Sequence, residues 1–211
     1  MARTRIKVCG ITREDDAFLA VEAGADAVGF VLAPNSPRSI SAEKAGDIAV
    51  ALPPFVTKVA LFVDAKAAAF EELLEEHPFF EYAQLHGRES EPTVKACAEV
   101  GVGLIKAIKV GDGLAKDILK WNNLVELDAV LLDGGTGGQG ERFDWEEAAE
   151  AVQDSEHPVI VAGGLTAENV GEAIEILQPF AVDVSSGVEK KPGVKDASKL
   201  VEFCQAVRES E

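Results

Sequence analysis

Four reactive side chains stand at junctions of the chain. Cys9 ends the β-rich stretch Arg5–Val8. Asp133 closes the apolar run Ala129-Val130-Leu131-Leu132. His86 follows Phe80–Leu85, and Arg38 ends the loop Ala33-Pro34-Asn35-Ser36-Pro37. A carboxylate that closes an apolar strand is either an acid–base group or a salt-bridge partner. A single thiol in such a place is either a small buried hydrophobe or a reactive group. His86 either lines a site or caps a strand end. Two glycine-bearing loops complete the set: Gly163-Gly164 after Pro158–Ala162, and Ser185-Ser186-Gly187 after Ala181–Val184. Glycine lets backbone N–H groups come close to an anion. Gly163, Gly164, Ser186 and Gly187 are therefore read as a phosphate cradle. Cys97 and Cys204 fall on apolar helix faces and are read as packing.

The elements that must position these groups alternate regularly. Strands are expected over Arg5–Val8, Asp26–Leu32, Thr57–Val63, Phe80–Leu85, Gly103–Val110, Ala129–Leu132, Pro158–Ala162 and Ala181–Val184. Helices are expected over Arg13–Ala23, Ser41–Leu52, Ala65–Glu76, Glu91–Val100, Asp112–Trp121, Asp144–Asp154, Ala167–Leu177 and Lys195–Arg208. Continuous apolar strands joined by helical crossovers imply a parallel sheet covered by helices. Eight such units can close into a (β/α)8 TIM barrel, here expected as one α/β domain over residues 1–211. An open doubly wound sheet is the alternative, but no Gly-x-Gly-x-x-Gly follows the first strand. In a barrel the active site lies at the C-terminal ends of the strands. Cys9, Gln84, His86, Asp133 and Asp183 would then share one mouth, and the glycine loops would follow strands seven and eight, where phosphate sites are frequent.

Composition narrows the functions further. The chain has 211 residues, with 20 Lys plus Arg against 37 Asp plus Glu, a net charge of −17. That charge repels nucleic acid and anionic membrane surfaces, so neither is expected as a partner. It also suggests a surface adapted to high intracellular salt, and hence a halophilic source. No apolar run reaches the roughly 20 residues needed to span a bilayer. The N-terminal residues do not resemble a secretory signal. Cys9, Cys97 and Cys204 form no metal or disulfide pattern, which suits a reducing cytoplasm. A metal-dependent epimerase barrel would want ligating histidines at several strand ends, and His86 alone is available.

Taken in order, these segments resemble one family. Lys7-Val8-Cys9-Gly10-Ile11-Thr12, Ala23 to Phe30, Ser36-Pro37-Arg38, Gln84-Leu85-His86-Gly87, Leu131-Leu132-Asp133 and Phe143-Asp144-Trp145 are similar to segments of phosphoribosylanthranilate isomerase. So are Ala162-Gly163-Gly164-Leu165, Val182 to Glu189 and Pro192 to Asp196. The resemblance implies a cytoplasmic enzyme of tryptophan biosynthesis that acts on a small phosphosugar without metal or cofactor, as a monomer or homodimer. Its reaction would be the Amadori rearrangement of N-(5-phosphoribosyl)anthranilate to 1-(2-carboxyphenylamino)-1-deoxyribulose 5-phosphate. By the resemblance, Cys9 is the general base, Asp133 the general acid, and Arg38 the partner of the anthranilate carboxylate. Gln84, His86 and Asp183 would contact substrate, and the two glycine loops would hold its phosphate. The chemistry would call for a thiol pKa lowered by its surroundings at Cys9, and at Asp133 for a carboxyl pKa raised by burial or by the substrate phosphate. The loop Gly134–Arg142 is glycine-rich enough to suit a lid. Two rivals remain: another aminoaldose–ketose isomerase of this fold, and a catalytically dead phosphosugar-binding barrel. The related histidine-pathway family carries an aspartate where this chain has Cys9. Retention of Cys9, Asp133 and Arg38 together opposes a dead barrel.

Overall fold

Eight parallel strands close on one another in chain order in the computed structural model, which describes residues 3–64, 66–135 and 143–210. They are β1 (Arg5–Cys9), β2 (Ala27–Val31), β3 (Thr57–Phe62), β4 (Tyr82–Leu85), β5 (Gly103–Lys109), β6 (Ala129–Asp133), β7 (Val159–Ala162) and β8 (Ala181–Val184). The helices between and after them are α1 (Glu14–Ala23), α2 (Ala42–Ala51), α3 (Ala67–Glu76), α4 (Glu91–Ala98), α5 (Leu114–Asn122), α6 (Trp145–Gln153), α7 (Val170–Leu177) and α8 (Ala197–Glu209). Closure is made by β1 and β8, with Arg5 opposite Ala181 and Val8 opposite Val184. The expected (β/α)8 barrel is the observed fold.

The period of two along each strand sorts side chains between two cores. On β1, Ile6 and Val8 point outward into the layer shared with the helices, among Phe30, Phe70, Trp145 and Phe203. Lys7 and Cys9 alternate to the barrel interior. There, Val59, Ile105, Ala107, Leu131, Ile160 and Ala181 fill the lower barrel, and Cys9 packs with Val31 and Leu61 above them. Burying each large apolar side chain contributes roughly 1.5–3 kcal/mol.

Local signals set most helix ends. Ser41 caps α2 by accepting from Lys44 N–H, Asp144 caps α6 through Glu146 and Glu147 N–H, and Asp196 caps α8 through Ser198 and Lys199 N–H. Gly24 ends α1 in the left-handed region at φ 110°, where a side chain is disfavoured. Most boundaries shift by one or two residues from the sequence expectation, and two shifts have a visible cause. Helix α7 begins at Val170 rather than Ala167, because Thr166 N–H bonds the Asn169 side chain and holds a turn there. The chain before α8 forms an antiparallel hairpin, β9 (Glu189–Lys191) and β10 (Val194–Lys195), turning at Pro192-Gly193. The helix therefore starts at Ala197 rather than Lys195.

That hairpin carries a buried charge cluster. Glu189 receives a forked pair of bonds from Arg38, at 2.9 and 2.8 Å, and a third at 2.9 Å from Lys195 Nζ. Burial pushes the Glu189 carboxyl upward, but Arg38 and Lys195 outweigh it and hold it below its usual value. A lowered carboxyl pKa means the contribution is complete above the ordinary Glu range near pH 4 and is lost as pH falls through the lowered value. Glu189→Ala strands two buried cations. Urea denaturation at pH 7 is expected to show a loss of about 3–5 kcal/mol. A loss within about 0.5 kcal/mol of zero would contradict the cluster's role.

Candidate active site

A cavity of about 570 Å³ opens at the C-terminal ends of the strands. All ten residues expected to form a site line it. Cys9 comes from β1, Arg38 from the loop after β2, Gln84 from β4 with His86 just beyond, and Asp133 from β6. Gly163 and Gly164 follow β7, Asp183 lies on β8, and Ser186 and Gly187 follow β8. Lys109, also at a strand end, is not among the lining residues. The proposed lid falls largely on residues 136–142, outside the described residues. Among the described residues, no group of three or more His, Cys, Asp or Glu is arranged to hold a metal ion.

The wall formed by β4 and β6 is a hydrogen-bonded relay. Gln84 Nε2 lies 2.7 Å from His86 Nδ1, and His86 Nε2 lies 3.0 Å from Asp133 Oδ2. With Gln84 donating to Nδ1, the imidazole proton sits on Nε2 and is donated to Asp133. Gly135 N–H donates to the other carboxylate oxygen at 3.0 Å. Burial pushes Asp133 upward, but these donors prevail and its pKa is lowered. The raised value expected from the sequence is therefore not the resting state, because His86 holds the ionised form. The other amide atom, Gln84 Oε1, is buried with no hydrogen-bond partner among the described residues.

On the opposite side the thiol is in the reverse condition. Cys9 is 5% exposed, and burial pushes its pKa up by more than Lys7 and Lys195 pull it down, while Asp183 adds to the rise. The lowered thiol expected from the sequence is thus also corrected, by desolvation. Lys7, directly beneath, donates to Asp183 Oδ1 at 2.8 Å inside the barrel. Asp183 is accordingly held by Lys7 at the cavity floor. Cys97 and Cys204 are fully buried, with thiols pushed up to about 11 by desolvation, as suits packing residues.

Arg38, expected to meet a ligand carboxylate, is already paired within the protein. Its Nε and Nη2 are both engaged by Glu189, so the fork that would grip a ligand carboxylate already grips a protein one. The glycine loops match the cradle geometry. Gly163 and Gly164 have φ of 90° and 67°, values that L side chains rarely adopt. A Cβ on Gly187 would lie 2.0 Å from Leu165 O, so the loops after β7 and β8 touch only because that side chain is absent. Asn169 Nδ2 braces the first loop by donating to Gly164 O at 2.9 Å.

Sequence reasoning missed Lys7, Glu189 and Lys195 as site-forming groups. Lys7 carried a readable signal: a charged residue two positions before Cys9 shares its face of the strand. Lys195 and Glu189 lay within a hairpin that the helical reading concealed.

A family model described as N-(5'phosphoribosyl)anthranilate (PRA) isomerase matches residues 6–206. An N-(5'-phosphoribosyl)anthranilate isomerase of Pseudomonas fluorescens (strain SBW25) is 46% identical over 214 residues, spanning 100% of this chain and 98% of the relative. The crystal structure of the phosphoribosyl anthranilate isomerase from Thermus thermophilus aligns with a TM-score of 0.89 at 40% identity, covering 99% of this chain and 100% of that one. A phosphoribosyl anthranilate isomerase in complex with reduced 1-(o-carboxyphenylamino)-1-deoxyribulose 5-phosphate aligns at 0.86 with 38% identity, covering 98% and 99% of the two chains. The curated relatives come from non-halophilic organisms, so the expected saline source finds no support in them.

The relay predicts a measurable shift. In His86→Leu the Asp133 carboxyl loses its principal donor, and its pKa is expected to rise by about one unit or more. Carboxyl ¹³C NMR titration of wild type and variant reads this directly. An unchanged midpoint would show that His86 does not hold the ionised form.

Proposed function

The chain belongs to the N-(5'-phosphoribosyl)anthranilate isomerase family, and from that premise we propose how its residues divide the chemistry. The enzyme converts N-(5-phosphoribosyl)anthranilate, an aminoaldose, into 1-(2-carboxyphenylamino)-1-deoxyribulose 5-phosphate, an aminoketose, in tryptophan biosynthesis. The supporting observation for the division is that Cys9 and Asp133 face one cavity from β1 and β6, with the glycine loops forming the wall between them.

In this proposal the phosphate anchors on backbone N–H groups of Gly163, Gly164, Ser186 and Gly187, and a cavity of this size is ample for the rest of the molecule. Asp133 protonates the ribose ring oxygen, and the furanose opens to a Schiff base. Cys9 thiolate then removes the C2 proton. The C–H electron pair forms the carbon–carbon double bond of an enolamine, which tautomerises to the ketone. Arg38 meets the anthranilate carboxylate with the part of its guanidinium that Glu189 leaves free. Gln84 Oε1, unpartnered at the wall, is an acceptor for a sugar hydroxyl. Asp183 meets substrate at the cavity floor.

Resting Asp133 is ionised, so it must gain a proton before it can act as an acid. A Cβ on Gly163 would lie 2.9 Å from Asp133 Oδ1, so the cradle adjoins the carboxylate. A phosphate dianion bound there raises the cost of a second anion beside it. Inorganic phosphate is accordingly expected to raise the Asp133 titration midpoint, read by the same NMR signal, and no movement at saturating phosphate would refute the coupling.

Decay of substrate anthranilate fluorescence measures the reaction. Cys9→Ser and Asp133→Asn are each expected to lose at least about 10²-fold in kcat/KM, with circular dichroism unchanged. Near wild-type rates in either folded variant would remove that residue from its role. A folded wild type that binds substrate without turnover would favour the binding-barrel reading.

A further inference from the structure

Lys7 stands out among the charges that the division above leaves without a task. It is 3% exposed, inside the barrel, one layer beneath the cavity floor. A buried ammonium is costly and persists where anions meet it. Asp183 Oδ1 is one such group, at 2.8 Å. The other neighbour is the Cys9 thiol, two positions along β1 and on the same face of the strand. The backbone makes room for this pair. A Cβ on Gly29 would lie 2.8 Å from Cys9 Sγ and 3.2 Å from Lys7 Nζ, so both groups crowd the space that a glycine leaves open.

We propose that Lys7 is a positioning residue for catalysis: its ammonium, anchored by Asp183, is the counter-ion that lets Cys9 stand as a thiolate in the cavity. The inference rests on Cys9 being the base. The thiol gives its proton to cavity water, and the thiolate is met by Lys7. On accepting the substrate C2 proton the sulphur becomes a thiol again, and the ammonium returns to Asp183 alone. Lys7 keeps its protons throughout. In accord with this, Asp183 and Cys9 together overcome the burial that would lower the Lys7 pKa, and it stays raised.

The other charges around the sulphur are few. Lys195 approaches from β10, and its Nζ donates to Cys9 O at 2.6 Å, so it serves the backbone of that residue. Glu189 and Arg38 neutralise each other beside it. Strand β2 offers only Gly29 and Val31, and β3 offers Leu61. Asp64, His86 and Asp133 face the cavity from β3, β4 and β6 or the loops after them. Lys7 and Asp183 are thus the charged side chains that grip the sulphur's own surroundings, and they act in opposite senses.

That opposition supplies the test. The pH dependence of Cys9 alkylation by iodoacetamide reports the thiolate, with the adduct located by peptide mass spectrometry. Lys7→Gln removes the charge and keeps a hydrogen-bond donor for Asp183. Its alkylation midpoint is expected to rise by about one pH unit or more, with the acid limb of kcat/KM rising alongside. Asp183→Asn removes the anion that competes for the ammonium, and its midpoint is expected to fall. A role in folding alone would not move the two variants in opposite directions. Unchanged midpoints, or shifts of the same sign, overturn the proposal. If Lys7→Gln does not fold, Asp183→Asn decides by itself: a fall supports the counter-ion, and a rise or no change refutes it. Alkylation needs no turnover. A wild type with the expected opposed shifts in its variants, but with no isomerase activity, would sink the base assignment while leaving the ion pair standing.

Discussion

Glu189 holds Arg38 on one side and Lys195 on the other, and through them it holds the mouth of the barrel. Lys195 Nζ also donates to Cys9 O at 2.6 Å and Ser185 O at 3.1 Å. One buried cation therefore ties the end of β1, the loop after β8 and the hairpin before α8 into a single unit. Arg38 adds the loop after β2. Cys9 also pairs with Gly29 of β2 and the hairpin pairs with itself, but the loops after β2 and β8 begin where the strands stop and take their position from these cations. The cluster is costly to desolvate, and its geometry offsets that cost only while every donor keeps its acceptor. This constraint sets the height of the Cys9 backbone, and thus of its thiol, relative to the glycine loops.

A second buried carboxylate does similar work on the far side. Glu89 accepts from Asp64 N–H at 2.9 Å, from Gly87 N–H at 3.0 Å and from Lys106 Nζ at 2.8 Å. Lys106 in turn donates to Leu85 O and Gly87 O. His86 lies between those two carbonyls, so its backbone is clamped from both neighbours while its ring reaches Asp133. Lower in the barrel Val59, Ile105, Leu131 and Ile160 hold the strands by packing, and the buried Lys7–Asp183 pair marks the boundary between that apolar floor and the charged mouth.

The barrel was legible because its signals are local and repeated. Apolar runs, caps such as Ser41 and Asp144, and stops such as Gly24 each act within a few residues. The site residues were legible by ordinal position at strand ends, and all ten face the cavity. What stayed hidden depends on contacts distant in sequence. Arg38 finds Glu189 151 positions away, and Lys7 finds Asp183 176 positions away. Neither partnership follows from spacing, so Arg38 read as a partner for a ligand carboxylate and Lys7 as ordinary strand. The hairpin at Glu189–Lys195 was obscured because Lys195 to Arg208 reads continuously as helix, although Pro192-Gly193 marked a turn. The protonation states were misjudged for a related reason. The reaction dictates what the pKa values must become, whereas burial and His86 dictate what they are without substrate.

That difference has a physical consequence. Desolvation favours the thiol at Cys9, and His86 and Gly135 favour the carboxylate at Asp133. Under the proposed division of roles, each group is then in the state opposite to the one its step needs. In the proposed reaction the charges that reverse them come with the substrate: a phosphate beside Gly163 would disfavour a second anion at Asp133, and the cationic imine formed on ring opening would favour an anion at Cys9. Under the proposed roles the order of events would be that phosphate binding arms Asp133, Asp133 opens the ring, and the opened ring completes the arming of Cys9 above Lys7. A thiolate that forms only after ring opening is also one that is less exposed to oxidation between turnovers, since the thiolate is the reactive form. On the proposed role of Cys9, its burial would suppress reactivity until the substrate's own charge called for it.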